Sequence, residues 1–276
     1  MMTVPTVTLS NGAVMPRLGL GTSPMDDPDA ERAVVQALEV GYRLVDTAEN
    51  YRNEVGVGRA LAASGMAREE LFVTSKFNKR WHSVEGARTA FEASAEKLGL
   101  EYLDLLLIHW PNPDQDRYVD AWRGLIELRE AGLVRAIGTS NFKPSHLQRL
   151  IDETGVAPEV NQVQLSPVWI KRSEREFHAA HNIVTEAWSP LGKGTDLLDH
   201  PVVAAAAKAH GKTPGQVVLR WEVQQDVVPI PKSANRERLE QNLAVFDFEL
   251  TADEMAALDA LDGTGKAQAD SDRFGH

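Results

Sequence analysis

The chain has 276 residues, 43% hydrophobic and 25% charged, with a formal net charge of −11 and no cysteine. The length suits one large α/β domain or two small ones, with ample length for a core. The missing cysteine excludes disulfides, thiolate zinc sites and a cysteine nucleophile, and the acidic balance speaks against a broad surface for nucleic acid or anionic lipid.

The first residues, "MMTVPTVTLSNGAVMP", show no basic leader and no long apolar run. No stretch reaches the roughly 20 apolar residues of a spanning helix, so a soluble cytoplasmic chain is expected. Two short β-like runs flank Asn11-Gly12, a pair that tolerates the positive φ of a hairpin turn. Eight short apolar runs then follow in order: "RLGLGT", "YRLVD", "LFVTSK", "DLLLIH", "VRAIGTSN", "EVNQV", "IVTEAWS" and "VVPIPKS". Helix-like stretches separate them, among them Asp29 to Val40, Val84 to Leu98 and Tyr118 to Ala131. Ala33, Val34, Ala37 and Leu38 fall on one helical face. Gly99 and Gly132 stand where helices end, and Pro144 and Pro214 where they begin.

Strands this apolar are covered on both faces, which implies a parallel sheet with crossover helices. Eight such repeats point to a closed (β/α)8 barrel, with its active site at the C-terminal ends of the strands. Three consecutive runs end in proton-handling residues: Asp46, Lys76 and His109. Tyr51 follows the first of them. A barrel brings all four to one mouth. Lys76 beside a phenol lowers its pKa, Asp46 keeps Lys76 charged, and a neutral His109 donates to a carbonyl oxygen. Such a set delivers a proton to that oxygen while something else attacks the carbon. With no cysteine and no activated serine to hand, hydride from a nicotinamide is the natural complement.

Four other motifs fail on inspection. "GLGTSP" lacks the third glycine of a dinucleotide fingerprint, and "GKT" at 211–213 follows a helix with Ala206 in place of the first P-loop glycine. "GTSNF" around Ser140 lacks the second glycine of a nucleophile elbow. "HAAH", His178 to His181, is not the metal-binding HExxH helix and reads as helix surface, so no metal is expected.

In combination and in this order, "VDTAENYRNE", "VTSKF", "LLIHWP", "GTSNF", "NQVQLSP", "PLGKG", "PKSANRERLEQN" and "VFDFELT" resemble the aldo-keto reductase family. The resemblance runs from about Pro5 to Leu250 and is closest to bacterial 2,5-diketo-D-gluconate reductase-like members. It implies a single barrel domain over 1–276, an N-terminal hairpin, extra helices, NADPH bound without a Rossmann domain, and a monomer acting on a small carbonyl compound. The tail, about 262–276, would loop over the mouth. Asp46, Tyr51, Lys76 and His109 match the family's catalytic tetrad, with Tyr51 the acid. Ser140, Asn141 and Gln162 match the residues that hold the nicotinamide carboxamide, and Trp188 the ring stacked on the nicotinamide. Leu191 to Lys193 match the loop over the pyrophosphate. Lys232, Ser233 and Arg238 match the 2′-phosphate site, and Asn242 falls in the same cofactor segment. Phosphate near the last two strands is also what barrel physics favours.

Four positions depart from the family pattern: Arg52 where Gly is common, Ser166 where His is common, Gln241 where Glu is usual, and Asn235 within the phosphate segment. Trp81 and Trp110 are expected to wall the substrate pocket. Arg52, Lys79 and Arg80 either rim it and favour a carboxylate-bearing substrate, or pair with Glu49 and Glu54. A catalytically silent, nicotinamide-binding redox sensor and a phosphate-handling isomerase are the alternatives.

Overall fold

The described chain opens with an antiparallel hairpin, β1 (Thr6–Thr8) and β2 (Val14–Pro16), in a computed structural model that describes residues 4–276. Thr8 faces Val14, and the loop between them closes on a Leu9 N–Ala13 O bond of 2.8 Å. The Asn-Gly pair therefore lies in a wider turn than a two-residue one. Gly12 alone takes positive φ, 90°, while Asn11 Oδ1 accepts from Ala13 N at 3.0 Å.

Eight strands then form one sheet, each parallel to the next in chain order: β3 (Gly19–Gly21), β4 (Leu44–Asp46), β5 (Phe72–Phe77), β6 (Leu103–Ile108), β7 (Val134–Ser140), β8 (Val160–Gln164), β9 (Val184–Trp188) and β10 (Val228–Pro229). Between them run α1 (Asp27–Val40), α2 (Glu54–Ala63), α3 (Val84–Leu98), α4 (Tyr118–Glu130), α5 (Pro144–Thr154) and α6 (Arg172–Ala180). The last crossover carries an extra helix, α7 (Pro201–His210), ahead of α8 (Pro214–Gln224), and α9 (Arg236–Leu243) and α10 (Ala252–Asp259) follow β10. Local signals start and stop these helices. Ser83 Oγ caps α3 by accepting from Gly86 N, Pro144 and Pro214 sit in first turns, and Gly99 ends α3 at φ 66°.

The sheet rolls into a nearly closed barrel. At the seam between β3 and β10, Gly21 N donates to Pro231 O at 3.3 Å, and a Cβ on Gly21 would meet the Ile230 carbonyl at 2.7 Å. Glycine is what lets the two edges approach. The strand expected over "VVPIPKS" pairs only at Val228 and Pro229, because Pro229 and Pro231 bring no N–H to a ladder.

Period-two alternation decides what faces inward. Leu44, Phe72, Leu105, Leu107, Ala136, Val160 and Val228 fill the barrel interior, closed at the bottom by Leu9 and Met15 of the hairpin. Val45, Val73, Leu106 and Ile137 point out to the helices, where Val34, Phe91 and Trp122 cover them. Moving up the interior by two residues at a time gives Leu44 then Asp46, Leu107 then His109, Val160 then Gln162, and Val184 then Glu186 then Trp188. The apolar filling thus gives way to polar groups at one end only. Among the described residues no helix is long and apolar enough to cross a membrane, and no cluster of three His, Cys, Asp or Glu suits a metal.

Candidate active site

The four proton-handling residues meet at the C-terminal mouth. Lys76 Nζ lies 2.6 Å from Asp46 Oδ1, 2.9 Å from the Thr47 carbonyl and 3.4 Å from Tyr51 Oη. The Tyr51 and His109 rings stand edge to face, centroids 5.8 Å apart. Lys76, Asp46 and His109 are all buried. Burial pulls Lys76 down, yet Asp46 and Tyr51 carry it up overall, so the ammonium persists. Burial pushes the Asp46 carboxyl up, against the pull of Lys76. At 2.6 Å the two act as one ion pair, and each holds the other in place. Burial, then Lys76 and His276, hold His109 well below the usual histidine range, so its imidazole is neutral.

Tyr51 differs from the sequence expectation. Lys76 does pull its phenol down, but burial and Asp46 outweigh that pull, and the net direction is up. The phenol stays protonated at neutral pH, as a proton donor requires.

Asp46, Tyr51 and His109 line the base of a cleft of about 760 Å³, with Lys76 buried behind them, and the cleft is bordered further by Trp110, Asn141, Gln162, Trp188, Leu191, Lys193 and Lys232. Ser140 and Asn141 lie at the end of β7. Ser140 Oγ donates to the Gln162 carbonyl at 3.0 Å, and Asn141 Nδ2 donates to the His109 carbonyl at 3.1 Å. Trp188 Nε1 donates to Asn141 Oδ1 at 2.9 Å, which fixes the indole beside the tetrad. Gln162 Nε2 reaches Asp46 Oδ2 at 2.8 Å and Glu186 Oε2 at 2.5 Å. Glu186 belongs to no motif. Its signal is a carboxylate inside an otherwise apolar run, two residues before Trp188 and so on the same face.

Away from the tetrad the cleft runs to Lys193 and Lys232, and α9 begins four residues after Lys232. Asn235, which adds no charge there, caps that helix by accepting from Arg238 N at 3.0 Å, and Ser233 Oγ accepts from Asn235 N at 3.1 Å. Asn242 is buried on the same helix. Arg236 pairs with Glu39 and Glu240, whereas Lys193, Lys232 and Arg238 form no ion pair among the described residues. Lys193 and Lys232 border this end of the cleft and Arg238 follows in the first turn of α9; such unpaired cations, in so acidic a chain, fit a phosphate-bearing dinucleotide. At the other end Asn141 and Gln162 border the cleft, with Ser140 bonded to both behind them, polar amide groups that fit an amide.

The rim departs from expectation. Trp110 lines the cleft, but Trp81 does not: its Nε1 donates to Glu49 Oε2 at 2.8 Å. Arg80 binds the same carboxylate at 2.9 Å, and Lys97, not a rim cation, pairs with Glu54 at 3.1 Å. A buried carboxylate that can satisfy three donors captures the loop after β5 and turns Trp81 from the mouth. Arg52 occupies the left-handed region at φ 58°, which explains why glycine suits this position. Ser166 Oγ is buried without a partner among the described residues, and Gln241 Nε2 bonds Glu237 on its own helix at 3.3 Å. His178 of "HAAH" is not helix surface. It is buried, held by Asn161 and Thr185 at 2.9 Å each, while His181 stacks on Phe177. The tail after α10 comes back over the mouth, with Phe274 edge-on to Trp110 at 4.9 Å and His276 edge-on to His109 at 5.0 Å.

The chain is similar to known proteins along most of its length. The Aldo/keto reductase family profile matches residues 15–263. An aldo-keto reductase of Mycolicibacterium smegmatis is 50% identical over 259 residues, covering 94% of this chain and 91% of that protein. The methylglyoxal reductase DkgA of Yersinia pestis is 46% identical over 273 residues, covering 98% of each chain. The crystal structure of a Gox0644 mutant in complex with NADPH superposes with a TM-score of 0.94 at 42% identity, over 99% of both chains.

Proposed function

We propose that this chain, which belongs to the aldo/keto reductase family, reduces a small aldehyde or ketone to an alcohol with Tyr51 as the proton donor. The observation that carries the reading is the Asp46–Lys76–Tyr51 chain, with contacts of 2.6 and 3.4 Å, set beside a neutral His109 at the base of the cleft. NADPH, when bound, supplies hydride to the carbonyl carbon. Ser140, Asn141 and Gln162 would hold its carboxamide, Trp188 would stack on its ring, Leu191 and Lys193 would cover its pyrophosphate, and Lys232, Ser233, Arg238 and Asn242 would hold its adenosine end.

The remaining work falls to four side chains. His109, neutral and facing the cleft, donates to the carbonyl oxygen and orients it. The Tyr51 O–H bond breaks as its proton passes to that oxygen, and the electron pair stays on the phenolate. Lys76, held charged by Asp46, stabilises the phenolate until solvent returns a proton. Trp110, Phe274 and His276 line the side of the cleft where the substrate enters.

Similarity to a methylglyoxal reductase favours small, neutral, reactive carbonyls. The exposed large apolar side chains, Val14, Val55 and Phe274, lie on the hairpin, α2 and the tail. Such scattered residues suit a monomer. The direct test mixes the protein with NADPH and methylglyoxal and follows loss of the reduced-nicotinamide absorbance. Enzyme-dependent oxidation of NADPH is expected; none with methylglyoxal or with a panel of simple aldehydes overturns the assignment.

A further inference from the structure

One interior side chain has no part in that scheme. Glu186 projects from β9 directly beside Gln162 of β8 and is fully buried. The Gln162 amide nitrogen has two hydrogens, and a carboxyl oxygen takes each: Asp46 Oδ2 at 2.8 Å and Glu186 Oε2 at 2.5 Å. The reverse orientation of the amide would set its oxygen against the Asp46 carboxylate, so repulsion there selects the one observed. The two bonds turn the amide oxygen toward the cleft that Gln162 lines.

We propose that Glu186 is a positioning residue: with Asp46 it fixes the Gln162 amide so that its oxygen faces the nicotinamide carboxamide, and its charge state sets the negative charge around Lys76 and Tyr51. This rests on the reading of Gln162 as a cofactor contact.

The surroundings of Glu186 support the second half. Burial pushes its carboxyl up, Asp46 adds to the rise, and the Gln162 bond and Lys76 oppose it, leaving it at about 8. The charged and titratable groups that face it are Asp46 from β4, Lys76 from β5 and Tyr51 from the loop after β4. β10 pairs with it through uncharged Val228, and α6 meets the outer face of β9, where His178 bonds Thr185. Near neutrality Glu186 is an acid, and the Lys76–Asp46 pair stands alone. Above about pH 8 a second carboxylate joins it and raises the Tyr51 phenol further. A weaker acid donates its proton more slowly, so reduction falls.

NADPH titrations followed by tryptophan emission test the first half without turnover. Gln162→Leu should weaken NADPH about tenfold, and Glu186→Leu should approach that loss because the amide keeps only one anchor. Glu186→Gln restores an acceptor and should return affinity to within about twofold of the wild type. Wild-type affinity in Gln162→Leu overturns the reading of Gln162 itself. A loss in Gln162→Leu but not in Glu186→Leu overturns the positioning role alone. The second half is read from the pH profile of methylglyoxal reduction, which also decides the matter if Glu186→Leu does not fold in a thermal melt. The wild-type kcat should bend downward near pH 8, and Glu186→Gln should lose that bend. The same bend in both proteins overturns the proposal.

Discussion

Lys76 and Asp46 form a buried ion pair, Nζ to Oδ1 2.6 Å, at the ends of neighbouring strands. Nothing in the packing of a barrel requires charge there. Filling the same layer with Leu and Val, as the layers below are filled, would avoid the desolvation of two ions. The pair is held because Tyr51, 3.4 Å from the ammonium, needs a cation beside it when it gives up its proton.

Lys76→Met strands the Asp46 carboxylate in the interior and should cost about 3–5 kcal/mol of stability. The double variant Asp46→Asn with Lys76→Met leaves no lone charge and should recover part of that loss. Denaturant melts of both proteins check the order. A double variant less stable than Lys76→Met contradicts it.

NADPH should bind more tightly than NADH, with Lys232 and Arg238 carrying the difference. Neither forms an ion pair among the described residues, so both are available to a 2′-phosphate. Losing one charge-assisted bond costs about tenfold in affinity. Arg238→Ala should therefore weaken NADPH by about that factor and leave NADH nearly unchanged. Equal losses for both cofactors would show that Arg238 does not read the phosphate.

A neutral carbonyl should be a better substrate than a keto acid. Arg80 is already tied to Glu49, and neither Arg52 nor Lys79 borders the cleft. Methylglyoxal is expected to show a lower KM than pyruvate in matched assays at low salt. A lower KM for pyruvate, lost as salt screens the mouth, would restore the rim cations to a role in binding.

His178 should remain neutral far into the acid range. Burial pushes it down first, to about 4. The sign follows from linkage. As pH falls below about 6.5 the unfolded chain takes up a proton that the folded chain refuses, so this residue lowers stability progressively until the folded group also titrates. Between pH 7 and pH 4 that amounts to about 3 kcal/mol. His178→Gln carries no such linkage. Its stability relative to the wild type should improve by about that amount over the same interval in urea melts. An unchanged difference contradicts a buried neutral imidazole.

The barrel was legible because its signals are local and repeated. Apolar runs recur along the chain with first-turn prolines and closing glycines between them, and a polar residue two positions past a buried leucine has to reach the mouth. Asp46 after Leu44 and His109 after Leu107 could be found on that logic alone, and Lys76 from its place near the end of the run between theirs. Trp81 could not be placed, because its direction is decided by Glu49, about thirty residues away in sequence. His178 looked like surface because a helix pattern does not show that Asn161 and Thr185 wait beneath it. The rise in the Tyr51 phenol, where Lys76 alone implied a fall, came from burial, a quantity that depends on the whole fold. Glu186 is weakly marked in the sequence for the same reason: its meaning lies in the partner it finds across the sheet.

The central claim is that Tyr51 gives the carbonyl oxygen its proton. Tyr51→Phe keeps the ring and its edge contact with His109 and removes only the hydroxyl. NADPH-dependent turnover of methylglyoxal should fall about 100- to 10,000-fold while NADPH affinity, measured by tryptophan emission, stays near the wild type. A Tyr51→Phe enzyme that keeps most of the wild-type turnover would contradict the account.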